Sequence, residues 1–126
     1  MTSVLNVDTI ADKAGTGPVG LTKQHAAKAW VNFDGSASAA AARDSFNLSS
    51  MTDSGTGDHE MNVSSALVND DFSSTSSCRG DSSNDNRSIC TLNSSTTNVN
   101  VNTFISDDGS VGDVAENHVT IHGDLA

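Results

Sequence analysis

Aromatic residues are scarce in this 126-residue chain, at 4%: four Phe, one Trp and no Tyr. A core with so few large side chains must be lean, and such a domain gains from burying apolar surface between subunits, because its own core offsets chain entropy only narrowly. Basic residues are few as well, 6 Lys and Arg against 16 Asp and Glu, for a formal net charge of −10. Without a stripe of positive charge to displace counterions from phosphates, neither nucleic acid nor an anionic membrane is an expected partner. No apolar run approaches the ~18 residues of a membrane-spanning helix, and the start of the chain lacks the basic and apolar regions of a secretory signal. The chain therefore reads as a soluble product of the cytoplasm.

What is present is strand patterning. Lys28 to Leu67 contains the sole Trp and reads as three consecutive strands with their turns. Side chains alternate faces along a strand, so Ala29, Val31 and Phe33 share one side and Lys28, Trp30 and Asn32 the other. The run Asp44 to Leu48 alternates polar and apolar residues, and His59 to Val63 resumes after the Gly-, Asp- and Ser-rich stretch Asp53 to Asp58. That stretch is a hairpin signal, since Gly accepts positive φ and Asp or Ser side chains bond their own backbone. The Ala-rich link Ser36 to Ala42 reads as a loop or a short helical turn. Further strands are expected at Phe72 to Cys78, Ser88 to Leu92, Asn98 to Phe104 and Val119 to Ile121, with turns at Asn69 to Asp71 and Asp107 to Gly109. Six or seven short strands at this spacing predict an all-β fold, a small antiparallel β-sandwich or barrel. Its expected core includes Val31, Phe33, Phe46, Leu48, Met61, Val63 and Phe104, and His118 and His122 are expected on the face opposite Val119 and Ile121.

Residues 1–24 differ in character. They hold the single Pro, no aromatic, and one short apolar run in which Val4, Leu5, Val7 and Ile10 form a stripe. Pro18 among Gly15, Gly17 and Gly20 then breaks any regular element. The expected organisation is an extended N-terminal arm over residues 1–24 and a β-sandwich domain over residues 25–126. The arm's expected partner contacts are Val4, Leu5, Val7, Ile10 and Pro18.

Candidate chemistry is thin. Cys78 and Cys90 flank a polar loop, and if their strands pair as a hairpin a disulfide could close it, contributing about 3 kcal/mol in the chain-entropy account. Two free thiols are the alternative, consistent with synthesis in a reducing compartment. Two Cys without a C-x-x-C do not make a structural zinc site. His118 and His122 lack the Glu spacing of a zincin helix, and the Asp and Asn residues around positions 81–85 and 107–108 lack the spacing of an EF-hand loop. Arg79-Gly80-Asp81 spells the integrin-ligand tripeptide, but three common residue types in a polar loop recur by chance. No nucleophile elbow and no phosphate-cradling Gly loop is present. The expectation is a protein that is not an enzyme and uses no metal or cofactor.

Three segments also carry a resemblance. Lys28–Phe33 (KAWVNF), Arg43–Ser50 (RDSFNLSS) and Thr52–Asp58 (TDSGTGD) occur in the order found in a module of small virion and tail-fibre proteins of marine tailed bacteriophages. The opening SVLNVDTIADKAGTGPVGLTKQ is similar to the lead of such proteins, so the likeness spans residues 3 to about 72. The chain departs from that pattern at His59 and Glu60, where an aromatic is usual, and in a second half poorer in apolar strand residues. The resemblance implies an architectural or adsorption role in a virion, in a protein made in the host cytoplasm. The expected function is a homotrimeric capsid decoration, or cement, protein that binds the major capsid protein on the outer head surface and ties capsomers together. The alternative is a short tail-fibre or receptor-binding protein that contacts tail proteins and the host surface.

Overall fold

The computed structural model describes residues 26–37, 39–80 and 86–123. The expected arm, with Val4, Leu5, Val7, Ile10 and Pro18, lies outside the described residues. Eight strands follow in chain order: β1 (Ala29–Asp34), β2 (Ala41–Phe46), β3 (Leu48–Gly55), β4 (Asp58–Val63), β5 (Ser73–Arg79), β6 (Arg87–Ser95), β7 (Asn98–Ile105) and β8 (Glu116–His122). They form two four-stranded sheets, ordered β2-β1-β8-β5 and β3-β4-β7-β6, with every pairing antiparallel. The all-β sandwich expected from the alternation is the fold found.

The core follows the alternation closely. Ala29, Val31 and Phe33 of β1, flanked by Val119 and Ile121 of β8 in the same sheet, face Met61 and Val63 of β4 and Val99 and Val101 of β7 across the sandwich in one buried cluster. Leu67 and Phe72, on the connection that carries the chain from β4 to β5, join this cluster. Phe33 is the largest fully buried side chain. Its truncation to Ala would cost about 3–5 kcal/mol through lost burial and the cavity left behind.

Two expected core members lie elsewhere. Phe46 is 52% exposed and Phe104 only partly buried. Both depart for reasons of phase. Phe46 pairs with Trp30, whose side is opposite that of Val31 and Phe33, and Phe104 is one residue out of step with Val99 and Val101. Leu48 is partly buried and packs against the core.

The run Asp44 to Leu48, expected as one strand, is two strands in different sheets. Asn47 breaks it with a left-handed backbone (φ 56°). Its side-chain amide donates to the carbonyls of Lys28 (3.0 Å) and Ser65 (3.2 Å), and its Oδ1 accepts from the Ser65 N–H (2.8 Å). Asn tolerates this conformation better than most residues because its short polar side chain can bond the local backbone. The turn that reverses every side chain thus sends Phe46 outward and Leu48 inward. The hairpin expected over Asp53 to Asp58 is tighter than it reads: β3 continues to Gly55 and only Thr56 and Gly57 connect it to β4. Gly57 has φ 67°, and a Cβ there would lie 2.6 Å from the Thr103 carbonyl oxygen, so a side chain is excluded on two grounds. In the Ala-rich link, Ala41 and Ala42 already belong to β2, and no helix occurs among the described residues.

Candidate functional site

Register assigns the outward face of the β2-β1-β8-β5 sheet row by row, because residues directly opposite on neighbouring strands share a face. Phe46 lies opposite Trp30, Trp30 opposite Thr120, and Thr120 opposite Thr75. The adjacent row runs Asp44, Asn32, His118 and Ser77. Phe46, Asp44, Thr75 and Ser77 are exposed, while Trp30, Asn32, His118 and Thr120 are partly buried. The chain's single Trp thus stands with an exposed Phe on the outward sheet face, next to a row of hydrogen-bonding side chains. At the rim, Arg79 and His118 each approach Glu116 at 3.5 Å. Across β1 and β2, Arg43 donates to Asp34 Oδ2 at 2.9 Å. The Asp34 carboxyl is held below its ordinary pKa, first by the Ser36 hydroxyl, which donates to Oδ1 at 2.7 Å, with help from the Ser36 N–H and Arg43 against the opposing effect of partial burial.

The outward face of the other sheet has a different character. Asn98 donates to Asn62 (3.1 Å), Asn62 to Thr52 (3.2 Å) and Asn102 to Asp58 (3.2 Å), making a ladder of amide and hydroxyl bonds across strands. These bonds occupy groups that would otherwise be free to bind a ligand.

A second polar group lies inside one end of the sandwich. His59 is fully buried, edge-on to Phe33 with ring centroids 5.3 Å apart. It is in phase with Met61 and Val63 and fills, against Phe33, the kind of position an aromatic would fill. Neither of its ring nitrogens has a hydrogen-bond partner among the described residues, and Asp53 Oδ1 stands 4.0 Å from Nδ1. Asn117, also fully buried, donates to the Val114 carbonyl at 2.6 Å. Gly35 passes so close that a Cβ on it would meet His59 Nε2 at 2.7 Å. Asp113 accepts from the Gly57 N–H at 2.6 Å, and Thr103 donates its hydroxyl to the Gly112 carbonyl at 2.6 Å, so the β3–β4 turn and the β7–β8 connection close this end together. Alternation makes the inward position of His59 legible in the sequence, but a lone polar residue in a strand gives no sign of what packs beyond it.

The expected site residues do not converge. Cys78 and Cys90 are both free thiols. Their strands do not pair with each other: β5 lies beside β8 and β6 beside β7, in opposite sheets. Cys78 lies opposite buried Asn117 and so points inward, whereas Cys90 lies opposite Asn102 on the outward side. The possible disulfide therefore does not form in this fold. Burial pushes the Cys78 thiol pKa up, partly countered by Arg87. His118 and His122 do share the outward face, as expected of residues four apart in a strand. Among the described residues, no three His, Cys, Asp or Glu side chains gather to hold a metal ion. Arg79 and Gly80 are placed, whereas Asp81 lies outside the described residues. No helix among the described residues is long and apolar enough to cross a membrane.

The fold and faces define an all-β sandwich with one aromatic-bearing outer sheet. No known protein family, curated protein or solved structure matches the chain.

Proposed function

We propose that this protein is a structural component of a bacteriophage virion, a homotrimeric capsid decoration protein that binds the major capsid protein on the outer head surface. The observation that carries the reading is the role of the residues in the resembling segments. Trp30 and Phe46 form a cross-strand pair, Asn47 turns the chain from one sheet to the other, Arg43 ties β2 to Asp34, and Gly57 makes the tight turn. All four jobs are architectural: the segments build a scaffold and its outer face. The lean core agrees with a body that gains stability from neighbouring copies. Attachment is multivalent in this reading, with three weak contacts reinforcing one another once the subunits are linked.

The alternative, a short tail-fibre or receptor-binding protein, is favoured by one observation, the exposure of Phe46 beside Trp30 on an open face. Copy number separates the two readings. Quantitative mass spectrometry of gradient-purified particles should find this chain at a level comparable to the major capsid protein, and sedimentation of the free protein should give a trimer. A level of a few copies per particle assigns it to the tail, and absence from purified particles overturns both readings.

A further inference from the structure

The outward face of the β2-β1-β8-β5 sheet carries chemistry that its place in a particle does not require. We propose that this face is a binding platform for a neutral, extended oligosaccharide, with Trp30 and Phe46 as the stacking surface and Asp44 as the hydroxyl-binding edge. Phe46, Trp30, Thr120 and Thr75 lie in one row across four strands, and neighbouring strands are ~4.8 Å apart, so the row is about 14 Å long. A pyranose ring with equatorial hydroxyls presents axial C–H groups on its flat faces, and these polarised hydrogens are attracted to the negative face of an aromatic ring. The same ring directs its hydroxyls sideways, where the next row places an exposed carboxylate on Asp44. Asp44 Oδ1 accepts from the Ser45 N–H at 2.9 Å, and a carboxylate has lone pairs enough on its two oxygens to accept from sugar hydroxyls as well.

The same observations disfavour other occupants. The chain's net charge of −10 and Asp44 in the adjoining row disfavour an anionic polymer. A second copy would need about 800 Å² on each partner, centred on apolar side chains. Here the apolar part is two rings, each worth about 150–250 Å², with Trp30 already partly buried and charged or polar residues in the adjoining row.

Trp30 is the chain's single Trp, so its fluorescence reports on this face alone. The full chain is titrated with cellohexaose and with N-acetylchitohexaose, both flat β-linked chains, and with maltohexaose, whose α-links coil it. The expected result is a saturable change in Trp30 emission with at least one flat probe and none with maltohexaose. In Phe46→Ala the dissociation constant should rise about three- to tenfold, and Asp44→Ala should also weaken binding, with thermal melting of both variants near wild type because both side chains are exposed. No saturable change with either flat probe overturns the proposal. So does an undiminished response in both variants, an equal response to maltohexaose, or an emission change that depends on protein concentration without sugar, which would assign the face to a second copy.

Discussion

Replacing Asn47 tests whether one residue sets the two-sheet architecture. Asn47→Ala removes three hydrogen bonds and leaves a Cβ residue in a left-handed conformation. The bond to the Lys28 carbonyl is part-buried and is worth about 1 kcal/mol net, whereas the two bonds to Ser65 are exposed, so water replaces much of each and together they add about 0.5–1 kcal/mol. The backbone conformation costs Ala about 1 kcal/mol more than Asn or Gly. The sum is about 2–3 kcal/mol, a drop of roughly 10–15 °C in melting temperature for a body of this size. Asn47→Gly loses the same bonds without the backbone cost and should fall about 1 kcal/mol short of the Ala variant. Thermal and urea melts followed by circular dichroism measure both. Ala and Gly variants of equal stability, or an Ala variant that melts with wild type, would refute the claim that this left-handed, side-chain-pinned corner holds the sheets in place.

Phe33→Ala should cost about 3–5 kcal/mol, while Phe46→Ala, on the outer face, should cost under about 1 kcal/mol in the same urea melts. Gly35→Ala should lose about 1–3 kcal/mol, because the added methyl meets His59 Nε2 and Asn117 Nδ2 inside a packed end; a melt equal to wild type would show that this end yields. Because the folded-state pKa of Asp34 is lowered, the stability it contributes is present above the unfolded value near 4 and is lost as pH falls below it. Asp34→Asn should therefore flatten the acid limb of the stability profile below about pH 4, and unchanged acid sensitivity would count against that linkage. Thiol titration under native conditions should modify Cys90 first and Cys78 slowly, with two thiols found after unfolding in the absence of reductant; recovery of none would show a bridge.

Strand alternation was enough to read most of the fold. Val31, Phe33, Met61, Val63, Val119 and Ile121 take the inward positions that their phase implies. The errors arise where phase changes or where hydrophobicity is weighed without it. Phe104 stands with Asn98, Asn100 and Asn102, on the outward side, so strict counting would have excluded it from the core. Phe46 cannot be placed this way, because its phase relative to Leu48 depends on the φ of Asn47, and Asn is common in ordinary strands and loops alike. A bridge between Cys78 and Cys90 required their strands to pair as a hairpin, and of the two readings the free thiols are found, because β5 and β6 lie in opposite sheets. The outer row of Trp30, Phe46, Thr120 and Thr75 joins residues up to ninety positions apart, and only the register brings them together.

The two long sides of the sandwich are built unequally. On one, the chain runs directly from β2 through Asn47 into β3, so the sheets are joined by backbone. On the other, residues 80–86 join β5 to β6 by a longer connection, and the two strands meet through side chains: Ser74 and Thr91 share a hydroxyl contact at 2.6 Å, and the inward residues of β5 are Ser74, Ser76 and Cys78, which bring little apolar area to the closure. Such a body behaves like a book, with a spine at Asn47 and its opening edge along β5 and β6. Amide protons of the edge strands should exchange fastest, those of β5 and β6 as this closure parts and those of β2 and β3 because most of their residues are exposed, and those of β1, β4, β7 and β8 most slowly. Tension applied across β5 and β6 would likewise part the covers at low force until residues 80–86 drew taut, whereas tension across β2 and β3 would meet the covalent chain at once.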